Sequence, residues 1–401
     1  MKHIKLVKKF CSISFIFFGI IATFNSCKKE DNSNPVFPKD IQNNQNKNVS
    51  TFETTANYPK GQMVLGRKME NPYELKVMQQ AFDNIQLENG KISGEKLHET
   101  HLYIKFIPDN DLELNQLRAD TSLILYPYPL DYEIKSKGYS YRDPDVPANK
   151  PGFQYCAVNA KKDLPKKIKY VVLAKLFIPE DGGEQFVKIA NGKFSGANMS
   201  NSLENEAFKL TNNLAELKKH SKNGRTASYT PAGRIVFNDD TKGLIGIQGL
   251  QVRARRWFTT HRGYCEINGN FTCNGTFSND CDWSLNWENM LFNIVDPSGT
   301  SLQLSRGPNT SSNWNIEIAD FLGIYFSELF RPAFRYYFLD IQELRRPLVG
   351  NPLEIRAMFN INTGTDARFF PLTIFGTISQ VKVWLPNSSS SYRYGTVIHE
   401  L

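Results

Sequence analysis

Residues 394–401 read Tyr-Gly-Thr-Val-Ile-His-Glu-Leu, and this stretch decides how the last part of the chain is interpreted. The β-branched and aliphatic run that leads into His399 and Glu400 predicts a helix carrying an imidazole beside a carboxylate. When a second histidine stands four residues after the first, both imidazoles lie on one helix face and can bind one metal ion. That second histidine would fall two positions beyond Leu401. The sequence therefore contains half of the pattern.

The residues before this stretch predict a helix, strands and the start of a last helix. Residues 316–338 are mostly apolar and aromatic, with Pro332 marking a kink or a second helix. Residues 353–359 and 380–385 read as strands, and the serines of 388–391 can cap the last helix. Strand, turn and then His-Glu resembles the zincin metallopeptidases, in which an edge strand lies over the substrate cleft and the HExxH helix comes after it.

The resemblance implies a role for each residue of the pair. His399 would be the first zinc ligand, and Glu400 would be the catalytic base that takes a proton from zinc-bound water. A catalytic zinc needs three protein ligands and one open position. We therefore expect the 401-residue form to bind zinc poorly and to be inactive. The metallopeptidases that it resembles are hydrolases, so whether this protein is an enzyme stays open.

The amino-terminal residues predict export. Lys5, Lys8 and Lys9 precede an apolar run over residues 10–24 that is short for a membrane span, as in a signal peptide. Ser26 directly before Cys27 resembles the lipobox of bacterial lipoproteins, in the looser form found in Bacteroidetes. The resemblance implies that Cys27 is lipidated and anchors the chain in a membrane; an unmodified cysteine is the alternative.

Residues 28–32, Lys-Lys-Glu-Asp-Asn, resemble the signal that sends Bacteroidetes lipoproteins to the cell surface. We expect the outer membrane as partner through the lipid anchor, with display at the cell surface first and the periplasmic face second. The net charge of +8 is spread over 401 residues. The basic clusters are typical of solvated faces, so we expect no nucleic-acid partner.

Length and composition allow several folded domains. We predict a signal peptide over 1–26, a flexible tether over 27–55, a mixed α+β domain over 56–228, a β-sandwich over 229–297 and an incomplete zincin-like α+β domain over 298–401. The fold class is thus α+β and multidomain. In the first domain, periodicity predicts helices over 72–87 and 109–118 and strands over 101–107, 122–126 and 169–177.

The predicted sandwich is based on short alternating runs. Leu250, Val252 and Ala254 alternate with Gln251, Arg253 and Arg255, the period of a strand with one solvated face. Residues 268–269, Asn-Gly, predict a turn. The run 249–253 followed by Gly-rich residues 263–271 resembles the carboxypeptidase regulatory-like, transthyretin-like domain, although Glu266 stands where that family usually has Asp. The resemblance implies packing or binding support.

Cysteines and aromatic residues leave open questions. Three cysteines at equal steps of eight predict a disulfide within the set and leave its pairing undecided: Cys265, Cys273 and Cys281, hereafter the cysteine trio. Five aromatic residues could stack on sugars, but core packing is the stronger interpretation: Trp283, Trp287, Tyr336, Tyr337 and Trp384. The carboxylates of Asp239 and Asp240 are interpreted as solvated.

Two functions remain. The first is a surface lipoprotein related to zinc metallopeptidases, which implies zinc as cofactor although the 401-residue chain is expected not to hold it. The alternative is a non-enzymatic surface lipoprotein that binds an extracellular glycan or protein through its β-sandwich.

Overall fold

The computed structural model describes residues 53–54, 62–88, 96–179, 196–214, 228–277, 280–310, 313–339, 352–359, 367–370, 380–384 and 388–401. The predicted signal peptide, Cys27 and nearly all of the tether lie outside these residues. Residues 50–401 form one compact unit. Its mixture of helices and mainly antiparallel sheets makes the fold class α+β, as the sequence predicts.

Five helices lie in the described part of the chain: α1 (Leu75–Glu88), α2 (Asp111–Ala119), α3 (Gly196–Leu210), α4 (Phe321–Phe338) and α5 (Ser390–Glu400). The strands in the first half are β1 (Glu53–Thr54), β2 (Val64–Lys68), β3 (His101–Ile107), β4 (Tyr132–Ser136), β5 (Gln154–Asn159) and β6 (Lys169–Leu176).

The strands in the second half are β7 (Ala232–Asp239), β8 (Gly243–Gly246), β9 (Gln251–Arg256), β10 (Thr259–Tyr264), β11 (Asn270–Thr272), β12 (Cys281–Asn286), β13 (Phe292–Val295), β14 (Gln303–Thr310), β15 (Trp314–Ile318), β16 (Leu353–Ala357), β17 (Ala367–Phe370) and β18 (Gln380–Val383).

The amino-terminal part packs helices against a small sheet. The order β5-β3-β6 is antiparallel, and a second ladder pairs β2 with β4. Helices α1 and α3 contact each other beside this sheet. The predictions of α1, α2, β3 and β6 are confirmed to within a few residues. The strand predicted over 122–126 is wrong: only Tyr126 makes a bridge, to Tyr155.

Two sheets pack over a common core in the second half. One has the order β1-β15-β7-β11, with β8 also on β7, and the other has the order β10-β9-β12-β14. Trp283 of the second sheet stacks on Trp314 of the first, with ring centroids 5.4 Å apart. The pairs β7–β15 and β12–β14 join residues on both sides of position 297. The predicted domain boundary there falls inside both sheets.

The predicted solvated face of β9 is wrong. Gln251, Arg253 and Arg255 are 3–6% exposed, as buried as the apolar positions between them. Arg253 donates to the carbonyl of Leu125, 2.7 Å away, and Arg255 donates to the carbonyl of Trp257 at 2.8 Å. Both faces of β9 are therefore buried, and the guanidinium groups of Arg253 and Arg255 are bonded to backbone carbonyls inside the protein.

The turn between β9 and β10 inserts into the amino-terminal core. Trp257 has φ of +51°, which turns the chain tightly, and Trp257 and Phe258 are 9% and 6% exposed. Phe258 lies 4.9 Å from the ring of Tyr103, and Trp257 lies 5.8 Å from the ring of Phe208. The parts of the chain before and after residue 228 therefore share one core cluster.

A third sheet precedes the last helix. Its order is β13-β16-β18-β17, with β13, β16 and β18 parallel and β17 antiparallel at the edge. Helix α4 contacts β13 and β16 of this sheet, and it also contacts α5. Residues 316–338 are therefore not one helical region: β15 occupies 314–318, and Pro332 lies inside the single helix α4.

Candidate functional site

Helix α5, which carries His399 and Glu400, is fixed at its start. Ser389 caps it, accepting a hydrogen bond from the Tyr392 amide at 3.3 Å, so the predicted serine cap is confirmed. The amide of Ser390 donates to a carboxylate oxygen of Asp240 at 2.8 Å. Free amides at a helix start favour a nearby carboxylate, because they carry the positive end of the helix dipole. The loop after β7 thus positions the start of α5.

A buried carboxylate on α4 holds the first turn of α5. Glu328 is 1% exposed, and its Oε2 lies 2.5 Å from Nη2 of Arg393. The hydroxyl of Ser390 donates to Oε1 of the same carboxylate. Burial raises the pKa of Glu328 above its ordinary value, even though Ser390 and Arg393 both act to lower it. This group links α4 to α5 at a high cost in desolvation.

A second ion pair supports the same junction from β7. Nη1 of Arg331 lies 3.0 Å from Oδ2 of Asp239, which is 5% exposed. Burial would raise the pKa of Asp239, but hydrogen bonds from Thr241 and Lys242 and the charge of Arg331 together lower it. The interpretation as solvated is wrong for Asp239, which is buried and paired. It is confirmed for Asp240, which is exposed and also accepts the hydrogen bond from the Ser390 amide at the start of α5.

Helix α4 links α5 to the third sheet. The hydroxyl of Tyr325 on α4 donates to the carbonyl of Val383, the last residue of β18, at 2.8 Å. The guanidinium of Arg393 lies over the same tyrosine ring, 5.8 Å from its centroid. Helix α5 contacts the edge strand β17 as well. The sheet, α4 and α5 form one packed group.

His399 and Glu400 lie in the last turn of α5. Val397 is fully buried in the core and anchors this turn, whereas His399 is exposed and Glu400 is half-buried. Adjacent residues on a helix point about 100° apart, so the imidazole and the carboxylate reach neighbouring regions at this helix end. Within the described residues, no group of three or more His, Cys, Asp or Glu side chains is placed to hold a metal ion. Among the predicted site residues, His399 is thus the single candidate metal ligand in the last turn of α5.

The other described histidines lie elsewhere in the fold. Nδ1 of His101 is 3.1 Å from the hydroxyl of Thr100 at the start of β3. His261 on β10 lies against the ring of Phe277, with centroids 4.5 Å apart. Neither contact is with a residue of α5.

The cysteine trio is buried close together. All three residues, and Cys156, are buried with free thiols. Cys281 accepts a hydrogen bond from the Tyr229 hydroxyl at 3.5 Å. Burial raises the pKa of Cys273 and Cys281 to about 12, and it raises that of Cys265 as well. The predicted disulfide and its pairing stay a prediction.

The aromatic residues considered for sugar stacking belong mainly to the interior. Trp283 and Trp287 are 2% and 0% exposed, and Tyr336 and Tyr337 are each 7% exposed. The core interpretation is confirmed for these four. Trp384 is half-buried.

Sequence reasoning missed the groups that position α5. Glu328 is a single carboxylate within the mostly apolar run 321–330, and an isolated charge on a helix that is otherwise buried signals an internal partner. Nothing in the sequence pairs it with Arg393, 65 positions later, because that contact depends on how α4 and α5 cross.

The predicted lipid anchor, Cys27, lies outside the described residues. Within the part of the chain that the structure describes, every helix lacks the length or the apolarity needed to cross a bilayer.

Comparison of the chain with protein-family models, with curated proteins and with solved structures gives no match.

Proposed function

We propose that the chain is a membrane-anchored surface lipoprotein whose last region, residues 298–401, is related to the zinc metallopeptidases. The observation that carries this proposal is the order of elements before His399. A parallel sheet ends in an antiparallel edge strand, β17, and the strand beside it, β18, is the last strand before α5 in the described part of the chain. An edge strand beside the helix that begins a metal motif is the arrangement expected for a zincin cleft.

Packing around α5 supports the proposal further. A metal ligand must be held by a rigid support, because small displacements weaken coordination. Two buried ion pairs, Glu328–Arg393 and Asp239–Arg331, fix α5 and its neighbour α4. The concentration of buried charge around this short helix is consistent with a positioning role.

The described residues do not by themselves fit a catalytic zinc. In the proposed relationship His399 is a metal ligand and Glu400 is the base, but His399 is exposed and no set of three ligands stands near it among the described residues. A catalytic zinc needs three protein ligands and one open position, and His399 is the ligand of that set that the described residues supply.

The proposal includes the finer domain assignments. We assign a mixed α+β character to residues 56–228 and a transthyretin-like β-sandwich to residues 229–297 that supports the last region. Neither is a separate packing unit, because Trp257 and Phe258 belong to the first core and strands β7 and β12 pair beyond position 297. The strand pairs that cross position 297 mean that this support is direct, through shared sheets.

The coding DNA after codon 401 tests the relationship. We expect a reading frame, continuous or shifted, that places a histidine four residues after His399. Protein made from that frame should bind zinc in a one-to-one ratio, measured by metal analysis after gel filtration. His399→Ala should lose the metal, and the control His261→Ala should keep it. If every frame lacks such a histidine, the metallopeptidase relationship is wrong.

The alternative is a non-enzymatic lipoprotein that binds a glycan or protein through its sandwich. Burial of Trp283 and Trp287 removes the two tryptophans considered for sugar stacking in that domain.

A further inference from the structure

A cavity of about 380 Å³ lies where the segment after α2 meets strands β9 and β10 and helix α4. The segment after α2 lines it with Leu123 and Leu125, and the last turns of α4 line it with Phe334 and Phe338. Proteins bind small molecules in cavities of about 300–1,000 Å³, so this volume suits a small ligand. The described lining includes no residue of α5. The cavity is therefore a different place from the proposed metal site at His399.

The shape of the cavity wall depends on a glycine. Gly249 lines the cavity with φ of +83°, and a Cβ at this position would lie 2.0 Å from a ring carbon of Phe334. The backbone therefore approaches the aromatic ring more closely than any other residue permits. The contact fixes the ring that forms one wall.

The lining carries an excess of positive charge. Arg118, Arg253 and Arg262 line the cavity, with Glu288 as the one carboxylate among the described lining residues. Glu288 lies 2.6 Å from Nη2 of Arg253, so this pair compensates itself. Arg262 donates to the carbonyl of Thr121 at 3.0 Å, which adds no negative charge.

Arg118 is compensated only in part. Its side chain is 5% exposed, and Nη1 lies 3.5 Å from Glu354, a carboxylate that also binds Arg356 at 3.0 Å. Its Nη2 donates to the hydroxyl of Ser301 at 2.6 Å. One carboxylate is thus shared by two guanidinium groups, and Asp111 is the further carboxylate whose charge acts on Glu354.

Two buried donors of the lining have no hydrogen-bond partner among the described residues: Nε of Arg118 and Nδ2 of Asn289. A buried donor left without a partner costs about 1–3 kcal/mol. Both atoms are closed to solvent, so they lie in the wall behind the lining surface and not on the surface that a ligand contacts.

The lining also holds uncharged polar residues, Thr121, Gln248, Gln251 and Asn293, and a set of large apolar and aromatic residues of which several are exposed. Tyr264 and Met290 are each 52% exposed, and Phe338 is 39% exposed. Large apolar side chains that remain exposed together commonly mark a binding site. They provide contact for an apolar body next to the cationic groups.

We infer that this cavity binds a small amphipathic anion, a molecule with an apolar body and one carboxylate. The excess of arginine over carboxylate in the lining recognises the carboxylate, with the partly exposed Arg262 as the accessible cation, and the leucines and exposed aromatic residues contact the body. This binding function is independent of the metallopeptidase relationship.

Isothermal titration calorimetry with two matched probes tests the inference on the purified full-length chain. The probes are 2-naphthoate and 2-naphthylmethanol, which share a ring system and differ in charge. We expect the acid to bind about tenfold more tightly than the alcohol, which corresponds to about 1.4 kcal/mol.

Two variants and their controls locate the site. Met290→Trp fills the cavity opening and should lower the affinity for the acid at least about tenfold. Its control, Leu244→Trp, lies at an exposed position of β8 outside the lining and should leave that affinity unchanged. Arg262→Gln should lower the affinity for the acid about fivefold and leave the affinity for the alcohol unchanged, because it removes one partly exposed positive charge. The control Arg234→Gln removes an arginine that also binds a backbone carbonyl, outside the cavity.

Three results overturn the inference: neither probe binds at millimolar concentration, acid and alcohol bind equally, or Met290→Trp leaves the affinity for the acid unchanged. All four variants change residues at least partly open to solvent, so circular dichroism should show native folding for each.

Discussion

Replacing Arg393 with methionine should lower the free energy of unfolding by about 3 kcal/mol at pH 7. The change removes the cation that lies 2.5 Å from Glu328, a carboxylate that is 1% exposed. Breaking a buried ion pair costs about 3–5 kcal/mol, because one charge stays buried without compensation. The hydroxyl of Ser390 still donates to Glu328, so we expect the lower end of this range. Methionine keeps most of the side-chain volume, which limits any contribution from a cavity.

The penalty should depend on pH. Burial raises the pKa of Glu328 above 4.5 even with Arg393 present, and removing Arg393 raises it further. Between pH 4.5 and the raised pKa, the folded chain holds a proton that the unfolded chain has released. The parent chain loses stability in the same way up to its own raised pKa. The penalty of the substitution therefore grows as pH rises between the folded-state pKa of Glu328 in the parent and the higher one in the variant.

Urea unfolding followed by circular dichroism, at pH 5 and pH 7, measures both effects. Lys175→Met is the matched control, since it breaks an exposed pair with Glu99, whose atoms lie 2.9 Å apart. That change should cost no more than about 1 kcal/mol. The double variant Glu328→Leu with Arg393→Met should regain most of the loss, because no buried charge remains. A cost for Arg393→Met within about 1 kcal/mol of zero at pH 7, or a cost that is smaller at pH 7 than at pH 5, would refute this reasoning.

Other parts of the chain support three more predictions. Gly249→Ala should destabilise the fold by about 2 kcal/mol in the same urea assay, because a Cβ there is strained by the positive φ and meets Phe334; the reverse sign would contradict the geometry. Protein purified from the producing cell's envelope should show one disulfide within the cysteine trio by mass spectrometry after alkylation, and three alkylated thiols there would contradict the prediction. Cys27→Ser should move the protein from the membrane fraction to the soluble fraction, whereas the control Cys11→Ser should remain in the membrane; equal fractionation of the two variants would exclude lipidation at Cys27.

Elements that are specified by local periodicity could be predicted from the sequence. The spacing of apolar residues places α1 and β3 because side chains on one face of an element repeat regularly along the chain. Ser389 was predictable for the same reason, since a helix cap depends on its nearest neighbours.

Features that depend on distant contacts could not be predicted. Alternating arginines on β9 indicate solvent exposure, but Arg253 meets a carbonyl 128 positions earlier in the chain and is buried there. Glu328 and Arg393 likewise become partners only when two helices cross. The candidate site is therefore predictable as a motif, His399 with Glu400, and unpredictable in the groups that support it.

The insertion of Trp257 and Phe258 beneath Tyr103 and Phe208 has a consequence for dissection of the protein. A fragment that stops at residue 228 would keep Tyr103 and Phe208 but lose the two aromatic rings that pack against them. A fragment that begins at residue 228 would expose Trp257 and Phe258 to water. Cutting the chain at this position should yield two insoluble pieces, and co-expressing them should restore solubility to both.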